Sequence, residues 1–112
     1  MKNKQSHREY LTHFHIAGFT YWDGALAFSK LKPGVPLTIA LEDDNKYDPE
    51  AVVIYYDTVK LGYVPREHNA VIYKLLKTGI NNLMAVVQRV DGSEHPERQV
   101  GVVVHLVRKG GV

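Results

Sequence analysis

The chain has 112 residues, of which 45% are hydrophobic and 23% charged, and this is the size and composition of one soluble globular domain. It has no stretch of roughly 18 apolar residues, which excludes a membrane-spanning helix by hydropathy, and no cysteine, which excludes disulfides and thiolate chemistry. The net charge of +2 is too small to indicate a nucleic-acid-binding protein by itself.

The N-terminal segment is basic, and no apolar segment follows it. We therefore expect a cytoplasmic protein with no secretory signal and no membrane association. Residues 1–10 are predicted to form a flexible tail, residues 11–108 a single domain and residues 109–112 a flexible C-terminus.

The first predicted strand covers residues 11–18, where apolar and polar residues alternate. Phe14 and Ile16 fall on one face and His13 and His15 on the other. This period of two is typical of a strand that is buried on one side only.

A loop with large aromatic residues follows between Gly18 and Gly24. It carries Phe19, Tyr21 and Trp22, with no period that would bury all three. A strand would bury at most one of two neighbouring residues, whereas a loop can present both as a stacking platform for nucleic-acid bases. The spacing is equally compatible with an aromatic ring that folds back onto the core.

The middle of the chain predicts a short helical segment and three strands. Residues 25–31 fit one or two helical turns, and residues 36–42 alternate as a second strand. Residues 51–57 are apolar on both faces, which predicts a central strand. Residues 58–65 pair with it across a tight turn to form a hairpin.

One main helix is predicted over about residues 67–78, because apolar residues recur there at helical spacing before a terminal glycine. Two further strands, over residues 83–90 and 99–107, are joined by a polar loop. Five or six strands, one main helix, room for a short second helix and no βαβ alternation indicate a mostly β fold. We predict a small OB-like antiparallel barrel.

The segment EDDNKYDPE, residues 42–50, has five acids in nine positions, a composition that suggests a calcium site. Counted as an EF-hand loop, it puts Tyr47 at a ligand position, Asp48 in place of the glycine and Ile54 in place of the bidentate acid, so the pattern fails. We favour a turn in which the Asn45 and Asp48 side chains have a local hydrogen-bonding role over an irregular cation site. The remaining acids are assigned to solvent: Glu42, Asp43, Asp44 and Glu50.

Histidine metal sites and catalytic motifs are not favoured either. His13 and His15 could share an ion, but no third ligand is apparent, since His68 and His105 lie on other predicted elements. The chain has no GxSxG, no HExxH and no glycine-rich phosphate loop,. We predict no metal, no cofactor and no enzymatic activity.

Three segments occur in an order that is fairly specific: IAGFTYWDG, DNKYDPEAVVIYY and KLGYVPRE. Together they resemble the HIRAN domain, a module of some DNA-remodelling helicase-like proteins that also occurs as a free-standing small protein. The resemblance covers about residues 14–106. It implies an OB-like barrel that captures the 3′ end of single-stranded DNA, with terminal nucleotides stacked on aromatic rings and the 3′-hydroxyl held by a carboxylate.

The resemblance also assigns residues to nucleic-acid binding by position. Asp48 would be the hydroxyl acceptor, since an ionised carboxylate accepts a hydrogen bond from a terminal hydroxyl and repels phosphate. Arg66 and Lys60 would supply the positive charge. The full set is Tyr21, Trp22, Asn45, Tyr47, Asp48, Tyr63 and Arg66.

Two departures from the family pattern predict weaker DNA binding or its loss. Thr20 stands where the DNA-binding member of the family has an arginine, which removes a phosphate contact. Tyr63 stands where that member has a histidine.

The leading hypothesis is therefore a non-catalytic module that binds the 3′ end of single-stranded DNA in repair, replication or processing, with a helicase or nuclease as a candidate partner. One alternative is a protein-interaction module with the same fold. Another is a metal-dependent nuclease that uses Asp43, Asp44 and Asp48. The choice between DNA and RNA, sequence specificity and oligomeric state are left open by the sequence.

Overall fold

The computed structural model describes residues 7–19 and 22–108, and the predicted mostly β fold is confirmed in them. The strands are β1 (Arg8–His15), β2 (Pro36–Leu41), β3 (Val52–Tyr56), β4 (Val59–Tyr63), β5 (Leu83–Val90) and β6 (Val100–Val107). The helices are α1 (Gly24–Ala27) and α2 (Arg66–Lys77), and single 3₁₀ turns cover Phe28–Lys30 and Pro96–Arg98. None of these described helices is long and apolar enough to cross a membrane.

The six strands form one antiparallel sheet in the order β1-β6-β5-β2-β3-β4. The sheet curls until the segment just after edge strand β1 meets the other edge strand, β4, at a single bridge, where Ala17 and Tyr63 exchange two N–H···O bonds of 2.9 Å. Within the described residues the sheet is otherwise not closed into a barrel. This is the OB-like architecture that the strand pattern predicts, in an open form.

The hydrophobic core lies inside the curl of the sheet and is covered by α2. Phe14 is buried while its neighbours His13 and His15 are exposed, as the alternation in β1 predicts. Phe19 is also buried and packs against Phe28, with 5.9 Å between ring centroids. One aromatic residue of the glycine-bracketed loop therefore does fold back onto the core.

The bounds of β1 and of the main helix differ from the prediction. β1 begins at Arg8, so residues 8–10 belong to the sheet rather than to a tail, because they pair with the end of β6. The same strand ends at His15 rather than at Gly18. Helix α2 begins at Arg66, one residue earlier than predicted. Residues 1–6 and 109–112, predicted to be flexible, lie outside the described part of the chain.

Candidate nucleic-acid interface

The acidic loop between β2 and β3 is held by its own side chains. The Asn45 Oδ1 atom accepts hydrogen bonds from the backbone N–H groups of Tyr47 (2.8 Å) and Asp48 (2.9 Å). The Asp48 Oδ1 atom in turn accepts one from the Glu50 N–H (2.9 Å). These are Asx-type turns, and they confirm the prediction that the loop is a hydrogen-bonded turn based on Asn45 and Asp48.

The first two turns of α2 fix the same loop from the side. Asn69 donates from Nδ2 to Asp48 Oδ2 (2.9 Å), and its side chain is buried, with 3% of the residue exposed. Arg66 donates from Nη2 to the Tyr47 carbonyl (2.7 Å), and its Nε lies 3.6 Å from Asp48 Oδ2. Because both carboxylate oxygens of Asp48 have partners, the orientation of this carboxylate is set before any ligand arrives.

Glu42, which was assigned to solvent, is the main correction at this site. Its side chain is only 19% exposed and accepts three hydrogen bonds. Oε1 accepts from the Tyr63 hydroxyl (2.6 Å) and from Asn45 Nδ2 (2.9 Å), and Oε2 accepts from Lys60 Nζ (3.0 Å). A carboxylate with this many donors connects the acidic loop to β4 and does not belong to the solvated surface.

An irregularity in β4 explains how Lys60 and Tyr63 reach the same carboxylate. Residues three apart on a regular strand point to opposite faces. The β3–β4 register, however, pairs Tyr55 with Lys60 and Ile54 with Gly62, which leaves one extra residue between Lys60 and Gly62. This β-bulge shifts the alternation by one residue, so both polar side chains lie on the Glu42 side.

The charges in this cluster stabilise one another. Burial alone would raise the pKa of Glu42, but the hydrogen bonds from Tyr63, Lys60 and Asn45 outweigh it and lower that pKa. Burial would likewise lower the pKa of Lys60, but Tyr63 and Glu42 raise it. For Tyr63, burial and the hydrogen bond to Glu42 both raise the pKa of the phenol. At neutral pH the cluster is an ion pair with a neutral phenol.

Trp22 lies against this cluster. The Lys60 ammonium lies 3.7 Å from the centroid of the indole, a cation–π contact,. The Tyr63 ring meets the same indole edge to face, with centroids 6.0 Å apart. Trp22 is 36% exposed, so it is held by its neighbours without being buried in the core.

A pocket of about 370 Å³ opens between the acidic loop, Trp22 and the junction of β4 with α2. Its volume lies within the range of small-ligand sites, about 300–1,000 Å³. The ring of Tyr47 stands at this pocket and is 87% exposed. The lining residues are Ala17, Trp22, Asn45, Tyr47, Asp48, Ala51, Tyr63, Val64, Pro65 and Arg66.

Comparison with known proteins decides the family. The family model described as the HIRAN domain matches residues 10–108. The chain belongs to the HIRAN domain family. No curated protein shows a significant sequence match.

Two solved structures have the fold of this HIRAN domain. A protein from Lactobacillus plantarum is 22% identical, with a TM-score of 0.77 over 92% of this chain and 98% of its own. The HIRAN domain of human HLTF is 14% identical, with a TM-score of 0.65 over 95% of this chain and 80% of its own. At these identities the two likenesses establish the shared fold.

Six of the seven residues that the sequence assigned to binding line the same pocket of this HIRAN domain: Trp22, Asn45, Tyr47, Asp48, Tyr63 and Arg66. The seventh, Tyr21, lies outside the described residues, as does Thr20. Three segments that are far apart in the sequence, at Trp22, at residues 45–48 and at residues 63–66, therefore meet at one site, while any ligand contact of these residues remains a prediction.

Two residues of the site were missed in the sequence. Glu42 was grouped with the solvated acids because its neighbours are acidic. The burial of Asn69 could have been predicted from the sequence, since this residue lies one helical turn before the buried Ile72. A polar residue on the buried face of an amphipathic helix needs a hydrogen-bond partner.

The described carboxylates and histidines contain no group of three or more that could hold a metal ion. Asp43 lies instead 3.5 Å from Lys77, and Asp48 is bonded to Asn69 and Glu50. The arrangement of these side chains gives no support to the metal-dependent nuclease alternative.

Proposed function

We propose that this HIRAN domain is a non-catalytic module that binds single-stranded DNA and holds its 3′-terminal nucleotide in the pocket beside Trp22. The observation that carries the proposal is the meeting, in one pocket, of a held indole, a second exposed ring and a carboxylate of fixed orientation. The family membership supports the same assignment, because the resemblance to HIRAN domains implies DNA-end binding.

The aromatic side chains account for binding of the base. Stacking of a base on a protein ring contributes on the order of 1–3 kcal/mol and tolerates any base. Trp22 and Tyr63 are both among the pocket residues, whereas Lys60 is not. The Lys60 ammonium is paired with Glu42 and lies over the indole outside the pocket lining, where it helps to keep the ring in place.

Asp48 accounts for the preference for an end. Each of its oxygens accepts one short hydrogen bond from the protein, Oδ1 from the Glu50 N–H and Oδ2 from Asn69 Nδ2. A carboxylate has about four acceptor positions, so acceptor capacity remains for a hydroxyl. An internal phosphate at that position would be repelled by the negative charge, whereas a terminal hydroxyl donates to it.

The charge of the pocket predicts modest affinity. Arg66 is the cation among the described lining residues, and it lies beside Asp48 at 3.6 Å. Lys60 is paired with Glu42 at 3.0 Å. Binding should therefore depend on salt with a log–log slope near the value of about −0.7 per phosphate contacted, and it should rest mainly on stacking.

Fluorescence anisotropy with two matched oligonucleotides tests end recognition. One probe ends in a 3′-hydroxyl and the other in a 3′-phosphate, and the variant Asp48→Asn keeps the shape of the side chain without its charge. We expect the wild type to prefer the hydroxyl end and Asp48→Asn to lose that preference. Asp43→Asn, a change at a neighbouring exposed carboxylate, is the control and should keep it.

Quenching of the only tryptophan tests the site directly. Oligonucleotide should quench the fluorescence of Trp22 in the wild type. Equal affinity for the two probes would refute end recognition. Complete absence of binding would favour the protein-interaction alternative, in which a protein partner contacts the same exposed rings.

A further inference from the structure

A second, larger cavity adjoins the pocket. It has a volume of about 760 Å³ and lies between β1, the first turn of α2 and the 3₁₀ turn before β6. We call it the histidine groove, because three of its side chains are His13, His15 and His68. Its other lining residues are Phe14, Ala17, Pro65, Arg66, Glu67, Glu97 and Arg98.

The groove and the pocket share a wall. Ala17, Pro65 and Arg66 line both. A ligand that extends from the pocket past Arg66 enters the groove. A single small molecule would occupy the pocket alone, whereas a ligand made of several linked units can occupy both the pocket and the groove.

The side chains of the groove suit a nucleotide chain. His68 is held by a 3.2 Å hydrogen bond between its Nδ1 and Thr12 Oγ1, and its ring lies against Phe14 at 6.1 Å between centroids. His15 is exposed on β1. Imidazole rings stack on unpaired bases and form hydrogen bonds with base edges and phosphates.

The charges of the groove set how strongly it can bind phosphate. Arg98 is 63% exposed, and its closest carboxylate is that of Glu94, 3.7 Å away. Exposed ion pairs of this length are weak, so the guanidinium can exchange the pair for a phosphate. Glu67 and Glu97 are exposed carboxylates in the same groove and would oppose a phosphate.

We propose that the histidine groove binds the nucleotides that precede the 3′-terminal one, with the histidines at bases and Arg98 at a phosphate beyond the second nucleotide. This inference rests on the proposed function, since the strand enters the groove from the pocket. It predicts that affinity grows with oligonucleotide length and that the growth depends on groove residues alone.

The test compares thymidine oligonucleotides of two, four and eight units, with binding followed by Trp22 quenching. We expect wild-type affinity to rise with length. Arg98→Ala should weaken binding of the eight-unit strand about two- to fivefold, because an exposed charge pair is screened by solvent, and leave the two-unit strand unchanged. Its salt slope for the long strand should be flatter by about 0.7.

A substitution that should strengthen binding and a control far from the groove complete the design. Glu97→Gln removes a repelling carboxylate and should strengthen binding of the long strand only. Arg8→Ala changes an exposed arginine seven residues before His15 on β1, roughly 20 Å away along a strand, and should change neither length. Thermal unfolding of each variant checks that the fold is retained.

Each other outcome overturns the inference in a recognisable way. If the two-unit strand binds but neither groove variant affects any length, the groove has another ligand, such as a peptide, while the proposed function stands. If Arg98→Ala weakens all lengths equally, it acts on the pocket. If no strand binds to the wild type, the proposed function fails, and the groove proposal fails with it.

Discussion

The substitution Glu42→Gln tests the central interaction of the site. The carboxylate accepts hydrogen bonds from Tyr63, Lys60 and Asn45. A glutamine has one acceptor oxygen, which can keep the bonds from Tyr63 and Asn45. Its amide nitrogen then faces the Lys60 ammonium, so a donor meets a donor and the ammonium loses its counter-charge.

The expected loss of stability follows from these contacts. A hydrogen bond to a charged group contributes about 1.5–3 kcal/mol, and the partial exposure of the pair lowers its share through solvent screening. We expect Glu42→Gln to lower the free energy of unfolding by about 2 kcal/mol. For a domain of this length that corresponds to a fall in Tm of about 8 °C.

The pH dependence of the effect has a definite sign. The pKa of Glu42 is lower in the folded state than the ordinary value of 4.5, so the unfolded chain binds more protons as the pH falls. The stabilisation by this carboxylate is therefore complete above about pH 4.5 and is lost as the pH falls through the folded-state pKa. Glutamine does not titrate, so the difference between variant and wild type should shrink in that range.

The assay is thermal unfolding followed by circular dichroism at several pH values between 3 and 7. Asp43→Asn is the control, because its exposed carboxylate lies 3.5 Å from Lys77 and should contribute at most about 0.5 kcal/mol. A Tm within about 2 °C of the wild type at pH 7, or a difference that stays constant down to pH 3, would refute the reasoning.

Three further predictions concern the scaffold of the site. Asn69→Ala removes a buried donor and should cost about 1–3 kcal/mol in urea unfolding; an unchanged midpoint would mean that the loop is held without it. Gly62→Ala would place a Cβ 2.3 Å from the Ala17 carbonyl oxygen at a φ of +144° and should cost more than about 3 kcal/mol. By contrast, Gly34→Ala, at a φ of +93° with no atom within 4 Å, should cost only about 1–2 kcal/mol. The phenol of Tyr63 has a pKa raised above 10.0 by burial and by its carboxylate partner, so its stabilising effect is complete below pH 10 and is lost as the pH rises through the folded-state pKa. In an absorbance titration Tyr63→Phe should remove a tyrosine step that lies above pH 10.0, and loss of a step below that pH would contradict the assignment.

Much of the secondary structure follows from local patterns. The alternation in β1, the hairpin of β3 and β4 and the helix that ends before Gly79 were all predicted to within a few residues. Such patterns are readable because the side-chain periods of strand and helix depend only on backbone geometry. The hydrogen-bonding turn at Asn45 and Asp48 was predicted for the same reason, since an Asx turn involves residues two or three apart.

Local patterns do not predict which residues meet at the site. The alternation in β4 predicts opposite faces for Lys60 and Tyr63, and the bulge beside Gly62 puts them on one face. A bulge is decided by which residues pair across two strands, and the sequence of one strand does not contain that information. The bulge brings Lys60 and Tyr63 to Glu42, whereas the acidic neighbours of Glu42 in the sequence suggested a solvated side chain.

By itself, the sequence of this HIRAN domain determined most strand and helix segments, the mostly β architecture and the turn at the acidic loop. Its family resemblance pointed to six described residues that line one pocket. Only the tertiary structure decided that Glu42 and the buried Asn69 hold pocket residues by hydrogen bonds and that a histidine groove adjoins the pocket. The physical reason is the range of the interactions. Side-chain periodicity and turn propensity act over a few residues, whereas strand register and the packing of α2 on the sheet bring together residues from distant parts of the chain.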